Sequence, residues 1–207
     1  MNVLGLDPGI ANTGAARLTH QGRLDTWHLH RDPLPTDTSP ADTAARIHDV
    51  IRWATGRATT TTTLVLIEEL PYAIGAHGGR DQRAAVLWSV TGALARAGLP
   101  VAHVNPTTLK QRITGNGRAS KAEIRAAIAK LYPRQGLTRI TPDEADAAGL
   151  ATLGVARLAH LRGLPWRGPW LNAQSLNLED GFRWPTELQS TPAERPKPPL
   201  PMFEVPR

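Results

Sequence analysis

Val3-Leu4-Gly5-Leu6-Asp7-Pro8-Gly9 is the stretch of sequence from which the fold is predicted. Its apolar run predicts a buried strand over residues 2–7, because a near-continuous run of this length is typical of a strand covered on both faces. Asp-Pro-Gly then predicts a turn. The Asp7 carboxylate is therefore expected at the carboxyl end of a buried strand, which is where α/β sheets place their binding sites.

A second apolar run ends in the same way. Residues 64–67 are Leu-Val-Leu-Ile, and Glu68 and Glu69 follow them directly. Burying a carboxylate at such a strand end is unfavourable unless something binds it. Because successive side chains of a strand point to opposite faces, only one of the two glutamates can share a site with Asp7. The residues alone leave that choice open.

A third carboxylate source is the start of a late helix. Thr141 followed by Glu144 forms a capping-box pattern with a proline between them, which predicts a helix that runs to about residue 162. Asp143 and Asp146 are three positions apart and so share one face of that helix. A simpler explanation is that acidic residues near a helix start interact well with its dipole. That explanation suits Asp143 better than Asp146, which lies among alanines.

Carboxylates from separate elements repel one another when they converge, so such a cluster predicts cations between them. Hard divalent ions such as Mg²⁺ prefer oxygen ligands of this kind. The chain contains no cysteine, which excludes disulfides and thiolate metal sites. His28 and His30 could face the same side of a strand, but no third ligand follows at metal-binding spacing.

The remaining pattern predicts one α/β domain over residues 1–163 and an extended or partly disordered Pro/Trp-rich tail over residues 164–207. No stretch has the layout of a signal peptide or the length of a membrane span, so we expect a cytoplasmic protein without membrane contact. The other predicted elements are strands over 13–18, 23–29 and 101–104 and helices over 41–54, 80–97 and 121–131.

Positive charge is concentrated in one segment. Residues 110–139 carry eight basic side chains and a single acidic one, so this segment has a formal charge of +7 in a chain whose total is +6. Such clustering favours a polyanionic partner, with nucleic acid first, over a merely solvated helix face. Residues 114–121 lack the spacing of a nucleotide-binding P-loop, and we expect no nucleotide cofactor.

Taken together, these motifs resemble those of RuvC-type Holliday junction resolvases, members of the ribonuclease H-like superfamily. The resemblance covers roughly residues 1–160 and depends on the order of four motifs. They are residues 4–14, Ile67-Glu68-Glu69, the set Lys110-Gln111, Gly115-x-Gly117 and Ser120-Lys121, and Asp143-x-x-Asp146-Ala147. Three features depart from the family: the aromatic residue nearest to the second motif is Tyr72, the glycine-rich loop at 75–79 is unfamiliar, and the tail after Leu164 has no counterpart.

The resemblance implies a ribonuclease H-like α/β fold with a central mixed five-stranded sheet flanked by helices. It favours Glu68 over Glu69 and assigns catalysis and metal binding to Asp7, Glu68, Asp143 and Asp146. It places Lys110 and Lys121 near the cleaved phosphate. The full set of expected DNA contacts is Lys110, Arg112, Arg118, Lys121, Tyr72, Arg80 and Arg83.

The implied activity is that of a crossover junction endodeoxyribonuclease, which resolves four-way DNA junctions with two Mg²⁺ or Mn²⁺ ions about 4 Å apart in each active site. Two symmetric cuts imply a homodimer, with helix 80–97 in its interface.

One alternative is a related nuclease that acts on flaps, forks or RNA–DNA hybrids. Another is an actin-like ATP-binding protein, which would need a second glycine-rich phosphate motif late in the chain; none is visible. A junction-binding protein without activity is the third.

Overall fold

A computed structural model describes residues 1–70, 80–162 and 180–189 of the chain; for Arg80 and Thr138 it describes the backbone only. Within these ranges the protein is an α/β structure with one mixed sheet between two layers of helices. No helix in the described ranges is both long and apolar enough to cross a membrane.

In the described residues, the sheet contains six strands in the order β3-β2-β1-β4-β5-β6. Strands β1, β4 and β5 run parallel to one another, whereas β2, β3 and β6 pair antiparallel with their neighbours. We predicted five strands, and that count is one too low because part of the expected tail adds an edge strand. The strands are β1 Asn2–Asp7, β2 Asn12–Thr19, β3 Leu24–His30, β4 Thr62–Glu68, β5 Val101–Val104 and β6 Phe182–Arg183.

Five α-helices flank this sheet in the described ranges, and the local sequence accounts for where four of them begin. Ser39, Asn105, Ser120 and Thr141 each accept a hydrogen bond from a backbone N–H of the helix that they precede. The helices are α1 Pro40–Thr55, α2 Arg80–Arg96, α3 Pro106–Thr114, α4 Lys121–Leu131 and α5 Pro142–Leu161. Short 3₁₀ helices span Pro133–Gln135, Leu137–Arg139 and Thr186–Leu188.

The hydrophobic core is divided by the sheet into two layers. Helices α3, α4 and α5 pack on one face, against side chains such as Val3 and Leu66. Helices α1 and α2 cover the other face, which includes Leu4 and Ile67. The central strands β1 and β4 are therefore apolar on both sides, as their unbroken hydrophobic runs predicted.

Helix α5 lies unusually close to strands β1 and β2. A Cβ atom on Gly5 would lie 2.0 Å from the carbonyl oxygen of Ala147, and one on Gly14 would lie 2.0 Å from that of Asp143. Real Cβ atoms do not approach carbonyl oxygens this closely, so both positions require glycine for the packing to occur. This contact brings the start of α5 to the carboxyl end of β1.

Residues 180–189 also belong to the folded part of the molecule. Phe182 and Trp184 are buried, and their rings stack with centroids 5.0 Å apart. We predicted an extended or partly disordered tail here, and these ten residues instead pack against the domain. Their apolar side chains bury enough surface to offset the loss of chain entropy. The domain division at residue 163 stays a prediction, and residues 163–179 and 190–207 lie outside the described ranges.

Candidate metal centre and nucleic-acid interface

The centre of the site consists of three carboxylates from three elements. Strands β1 and β4 are parallel neighbours with Leu6 paired to Ile67, so their carboxyl ends place Asp7 beside Glu68. The close packing of α5 adds Asp146. One oxygen from each of Asp7, Glu68 and Asp146 lies within 4.8 Å of the other two. The sequence prediction that carboxylates from these elements converge therefore agrees with the geometry.

Electrostatic repulsion and burial raise the pKa of all three acids. Burial first, and the Asp143 charge second, raise the pKa of Asp7 to about 6. Burial and the nearby Asp7 raise the pKa of Asp146 to about 7. The same two causes raise the pKa of Glu68 well above its ordinary value. Raised pKa values mean that the ionised carboxylates repel one another, and a bound cation would reduce this repulsion.

One atom in this cluster lacks a protein partner. The buried Oδ1 atom of Asp146 accepts no hydrogen bond from any residue in the described ranges. A buried carboxylate oxygen without a donor is unfavourable and uncommon in folded proteins. Its position beside Asp7 and Glu68 fits the oxygen-only coordination of a hard divalent cation.

Asp143 lies at the edge of the cluster rather than within it. Its Oδ1 atom accepts a hydrogen bond of 3.1 Å from the Lys121 ammonium, and its Oδ2 atom is 3.5 Å from Nε2 of His28. It is not one of the three carboxylates that lie within 4.8 Å of one another. Glu144 points elsewhere: it completes the predicted capping box and also accepts a hydrogen bond from Thr26.

Basic side chains line the same cleft, which has a volume of about 360 Å³. Lys110, Lys121 and Arg83 contribute to its wall together with Asp7, Glu68, Asp143 and Asp146. Burial lowers the pKa of Lys121, but the charge and hydrogen bond of Asp143 outweigh burial and leave it raised. Lys121 is therefore positively charged at neutral pH.

The other expected DNA contacts are distributed differently. Arg118 is exposed on the loop between α3 and α4, and Arg112 is half-buried on α3; neither lines the cleft. Tyr72 lies outside the described residues. Arg80 begins α2, and its side chain is also outside the described part.

Two groups near the site were not identified from the sequence. His28 was considered only as one half of a metal-binding pair, whereas its ring faces Asp143. Arg183 contacts Glu69, the residue after Glu68, across 114 positions of sequence. A sequence pattern can reveal neighbours within one element, but it carries no signal for a pair so far apart.

Together, a mixed sheet whose parallel strand ends carry acids and a helix that adds a further acid define a metal-dependent nuclease of the ribonuclease H-like class. The family model described as crossover junction endodeoxyribonuclease RuvC matches residues 3–153. The chain belongs to this family, and the prediction from its motifs is confirmed.

Individual relatives agree with the family model. The crossover junction endodeoxyribonuclease RuvC of Zymomonas mobilis is 32% identical over 172 residues, which cover 79% of this chain and 95% of the relative. The protein of the same name from Azorhizobium caulinodans is 32% identical over 169 residues, which cover 79% and 92%.

Solved structures agree on the fold. Thermus thermophilus RuvC superimposes with a TM-score of 0.55 and 25% identity, over 82% of this chain and all of that one. T. thermophilus RuvC in complex with Holliday junction substrate gives a TM-score of 0.55 at 21% identity, over 79% of this chain and 96% of that one. The predicted ribonuclease H-like fold is confirmed.

Proposed function

We propose that this protein resolves four-way DNA junctions by metal-dependent hydrolysis of two symmetry-related phosphodiester bonds. The observation that carries the proposal is the convergence of Asp7, Glu68 and Asp146 within 4.8 Å, in a chain that belongs to a junction endonuclease family. Carboxylates at this spacing repel one another when ionised, and a bound cation would offset that repulsion.

Asp7, Glu68 and Asp146 would hold the metal, and Asp143 would complete the set from the edge of the cluster. We propose two Mg²⁺ or Mn²⁺ ions, which when bound supply Lewis acidity toward the phosphodiester and a water nucleophile of lowered pKa. The donor set fits these ions because every candidate ligand is a carboxylate oxygen.

The chain's own residues would position the DNA backbone. Lys110 and Lys121 lie on the cleft wall, where their ammonium groups can contact the oxygens of the cleaved phosphate and offset charge that develops in the transition state. Arg83 adds a third cation to this wall. In the absence of DNA, Asp143 holds Lys121 by a hydrogen bond, so the lysine is oriented before the substrate arrives.

Phosphate contacts further from the cleft would come from the exposed loop between α3 and α4. The Arg118 side chain is exposed there, and the loop backbone is held by internal hydrogen bonds such as that from the Gly117 N–H to the Gln111 side chain. A fixed loop with an exposed guanidinium suits contacts that position a duplex arm without reading its sequence. We propose that the enzyme acts in the cytoplasm as a homodimer, because a four-way junction has two-fold symmetry and needs two matched cuts.

The test is cleavage of a synthetic four-way junction by the full-length chain in Mg²⁺, beside flap, fork, linear-duplex and RNA–DNA hybrid substrates of equal length. Paired cuts in opposite arms of the junction are expected, with slower cleavage of every other substrate. The Asp146→Asn variant should bind the junction without cutting it. Equal cleavage of forks or hybrids would overturn junction selectivity, and cleavage in excess chelator would overturn the metal dependence.

A further inference from the structure

Residues 180–189, here called the C-terminal clasp, cover the edge of the sheet beside the candidate active site. They add β6 to β5, with Arg183 opposite His103 and Phe182 opposite Val104. The family model ends at residue 153, so the clasp lies outside the matched region. It contributes a side chain to the end of β4, where Glu68 is carried.

Several independent contacts fix the clasp. The Arg157 guanidinium, fully buried on α5, donates a hydrogen bond of 2.9 Å to the Leu188 carbonyl oxygen and lies 5.3 Å from the centre of the Trp184 ring. The Asn105 backbone N–H donates to the Gly181 carbonyl oxygen at 3.0 Å. A buried guanidinium is unfavourable without hydrogen-bond acceptors. The clasp supplies one of them to Arg157, the Leu188 carbonyl oxygen.

Because the clasp is attached in this way, its Arg183 side chain lies against Glu69. The side chain of Glu69 is only 6% exposed, and the Arg183 guanidinium contacts its Oε1 atom through both Nε and Nη2. His103 also lies near Glu69, at 3.9 Å. Burial, and then the charge of Arg183, lower the pKa of His103 to about 4, so at neutral pH this imidazole carries no charge. Among the residues that the structure describes, Arg183 therefore supplies the positive charge that faces Glu69.

Glu69 in turn determines where the end of β4 lies. Its backbone N–H donates to the Val104 carbonyl oxygen at 2.9 Å, and its side chain contacts Arg183 where it borders the same cleft as Asp7 and Glu68. Glu68, one residue earlier, faces Asp7 and Asp146, which repel it. A strand end that carries a repelled carboxylate needs a restraint close by, and the contact between Glu69 and Arg183 provides one.

We infer that Arg183 is a positioning residue for the active site: it holds Glu69, and Glu69 holds Glu68 at the distance from Asp7 and Asp146 that metal binding requires. The inference rests on the proposed function, since it names a residue that supports the same metal centre. It assigns a role in the reaction to a segment beyond the family match.

The experiment compares Arg183→Gln, Arg183→Lys, Glu69→Gln and the double variant Arg183→Gln/Glu69→Gln in the full-length chain. Single-turnover cleavage is measured at saturating junction, and junction Kd is measured separately in Ca²⁺. Arg23→Gln is the matched control, because Arg23 also pairs with a carboxylate but lies at the opposite end of the sheet from Asp7.

Arg183→Gln is expected to slow cleavage by roughly tenfold or more, because small displacements of reacting groups have large effects on rate. It should also raise the Mg²⁺ concentration needed for half-maximal rate, while junction Kd stays within about twofold, since phosphate contacts carry binding. Arg183→Lys should recover part of the rate. Glu69→Gln and the double variant should match Arg183→Gln, because both residues act through one contact. The double variant leaves no Glu69 carboxylate without its Arg183 partner, so it separates loss of the contact from unfolding of Arg183→Gln.

The inference would be overturned if Arg183→Gln cut at the wild-type rate. It would also be overturned if Arg183→Gln were slow while Glu69→Gln cut at the wild-type rate. A third contrary result is weaker junction binding with an unchanged cleavage rate, which would make Arg183 a DNA contact. A second readout separates this inference from the proposed function. The rise in Tm on adding Ca²⁺ without DNA should be smaller in Arg183→Gln than in wild type, even if the wild-type chain cuts no junction. An equal rise in both proteins would also overturn it.

Discussion

Asp146 illustrates how a candidate metal ligand opposes folding. Its pKa in the folded protein is about 7, against an ordinary value of 3.8, because of burial and the nearby Asp7. The folded state therefore binds more protons than the unfolded state between about pH 4 and pH 7. By linkage, the contribution of Asp146 to the free energy of unfolding falls as the pH rises through this window and stays low above it.

We therefore expect the metal-free Asp146→Asn variant to be more stable than wild type at pH 8, by on the order of 1–3 kcal/mol. Urea denaturation in chelator measures this difference, which should shrink as the pH is lowered toward 4. Asp49→Asn, an exposed change on α1, is the control and should show no such trend. A metal-free Asp146→Asn protein less stable than wild type at pH 8 would show that the carboxylate is stabilising and that the cluster is not repulsive.

Metal affinity should depend on pH for the same reason. A divalent cation needs the ionised carboxylates, whereas Asp7 and Asp146 hold protons up to about pH 6 and about pH 7. Calorimetric titration with Ca²⁺ is expected to show affinity rising by roughly tenfold or more between pH 5.5 and pH 7.5, with protons released on binding. Equal affinity at both values would mean that the acids are already ionised at pH 5.5.

At the scale of single elements, the clasp is held by buried aromatic surface. Phe182 and Trp184 join the core layer formed by α3, α4 and α5. Trp184→Ala should lower the free energy of unfolding by roughly 2–4 kcal/mol, since it leaves a cavity and uncovers Arg157. Chemical denaturation provides the measurement, and Glu187→Ala, an exposed change in the same segment, should be nearly neutral. If Trp184→Ala were equally neutral, the clasp would contribute little to the folded domain.

The loop between α3 and α4 should contribute to DNA affinity in a salt-dependent way. Arg118 is exposed there and is not among the residues that line the carboxylate cleft. Arg118→Ala is expected to weaken junction binding and reduce the slope of log K against log salt by about 1, the value for one lost phosphate contact. Gel shifts in Ca²⁺ at several salt concentrations measure the slope. An unchanged slope would mean that Arg118 is solvated surface in the complex.

The elements differ in how far the sequence could predict them. Asp7 and Glu68 were identifiable because each ends an apolar strand, and Asp146 because three-residue spacing puts it on the packed face of a capped helix. Strand β6 was not identifiable, because two residues in a proline-rich stretch give no periodic pattern. Its formation depends on Arg157 and the exposed edge of β5, both remote in sequence, and tertiary contacts of that kind override local propensity.

At the scale of the whole molecule, one exposed aromatic residue lies away from the cleft. Trp88 on α2 is 54% exposed and borders a groove between α1 and α2. Large exposed aromatics are frequent at the centres of protein interfaces, where they are desolvated on binding. The proposed homodimer requires a self-complementary surface related by a two-fold axis. Helix α2 presents the exposed Trp88 side chain on the side of the sheet opposite α5, which makes it the candidate for that surface.

We therefore expect Trp88→Glu to weaken the homodimer, because a carboxylate at the centre of an interface must be desolvated on both subunits. The free energy of dimerisation should become less favourable by roughly 2 kcal/mol or more. Analytical ultracentrifugation of Trp88→Glu should show a shift toward monomer. Gln21→Glu is the control: it adds the same charge on the exposed turn between β2 and β3 and should leave the protein dimeric.

The functional consequence follows from the symmetry of the substrate. On a plasmid that extrudes a four-way junction, two coordinated cuts give linear DNA, whereas one cut gives a nicked circle. A dimer places two cleavage sites on the junction together, so wild-type protein should yield linear product directly. A weakened dimer loses its partner between cuts, so Trp88→Glu should accumulate nicked circles at low protein concentration and recover linear product as the concentration rises. Linear product from Trp88→Glu at every concentration, with an unchanged sedimentation profile, would place the dimer interface elsewhere than α2.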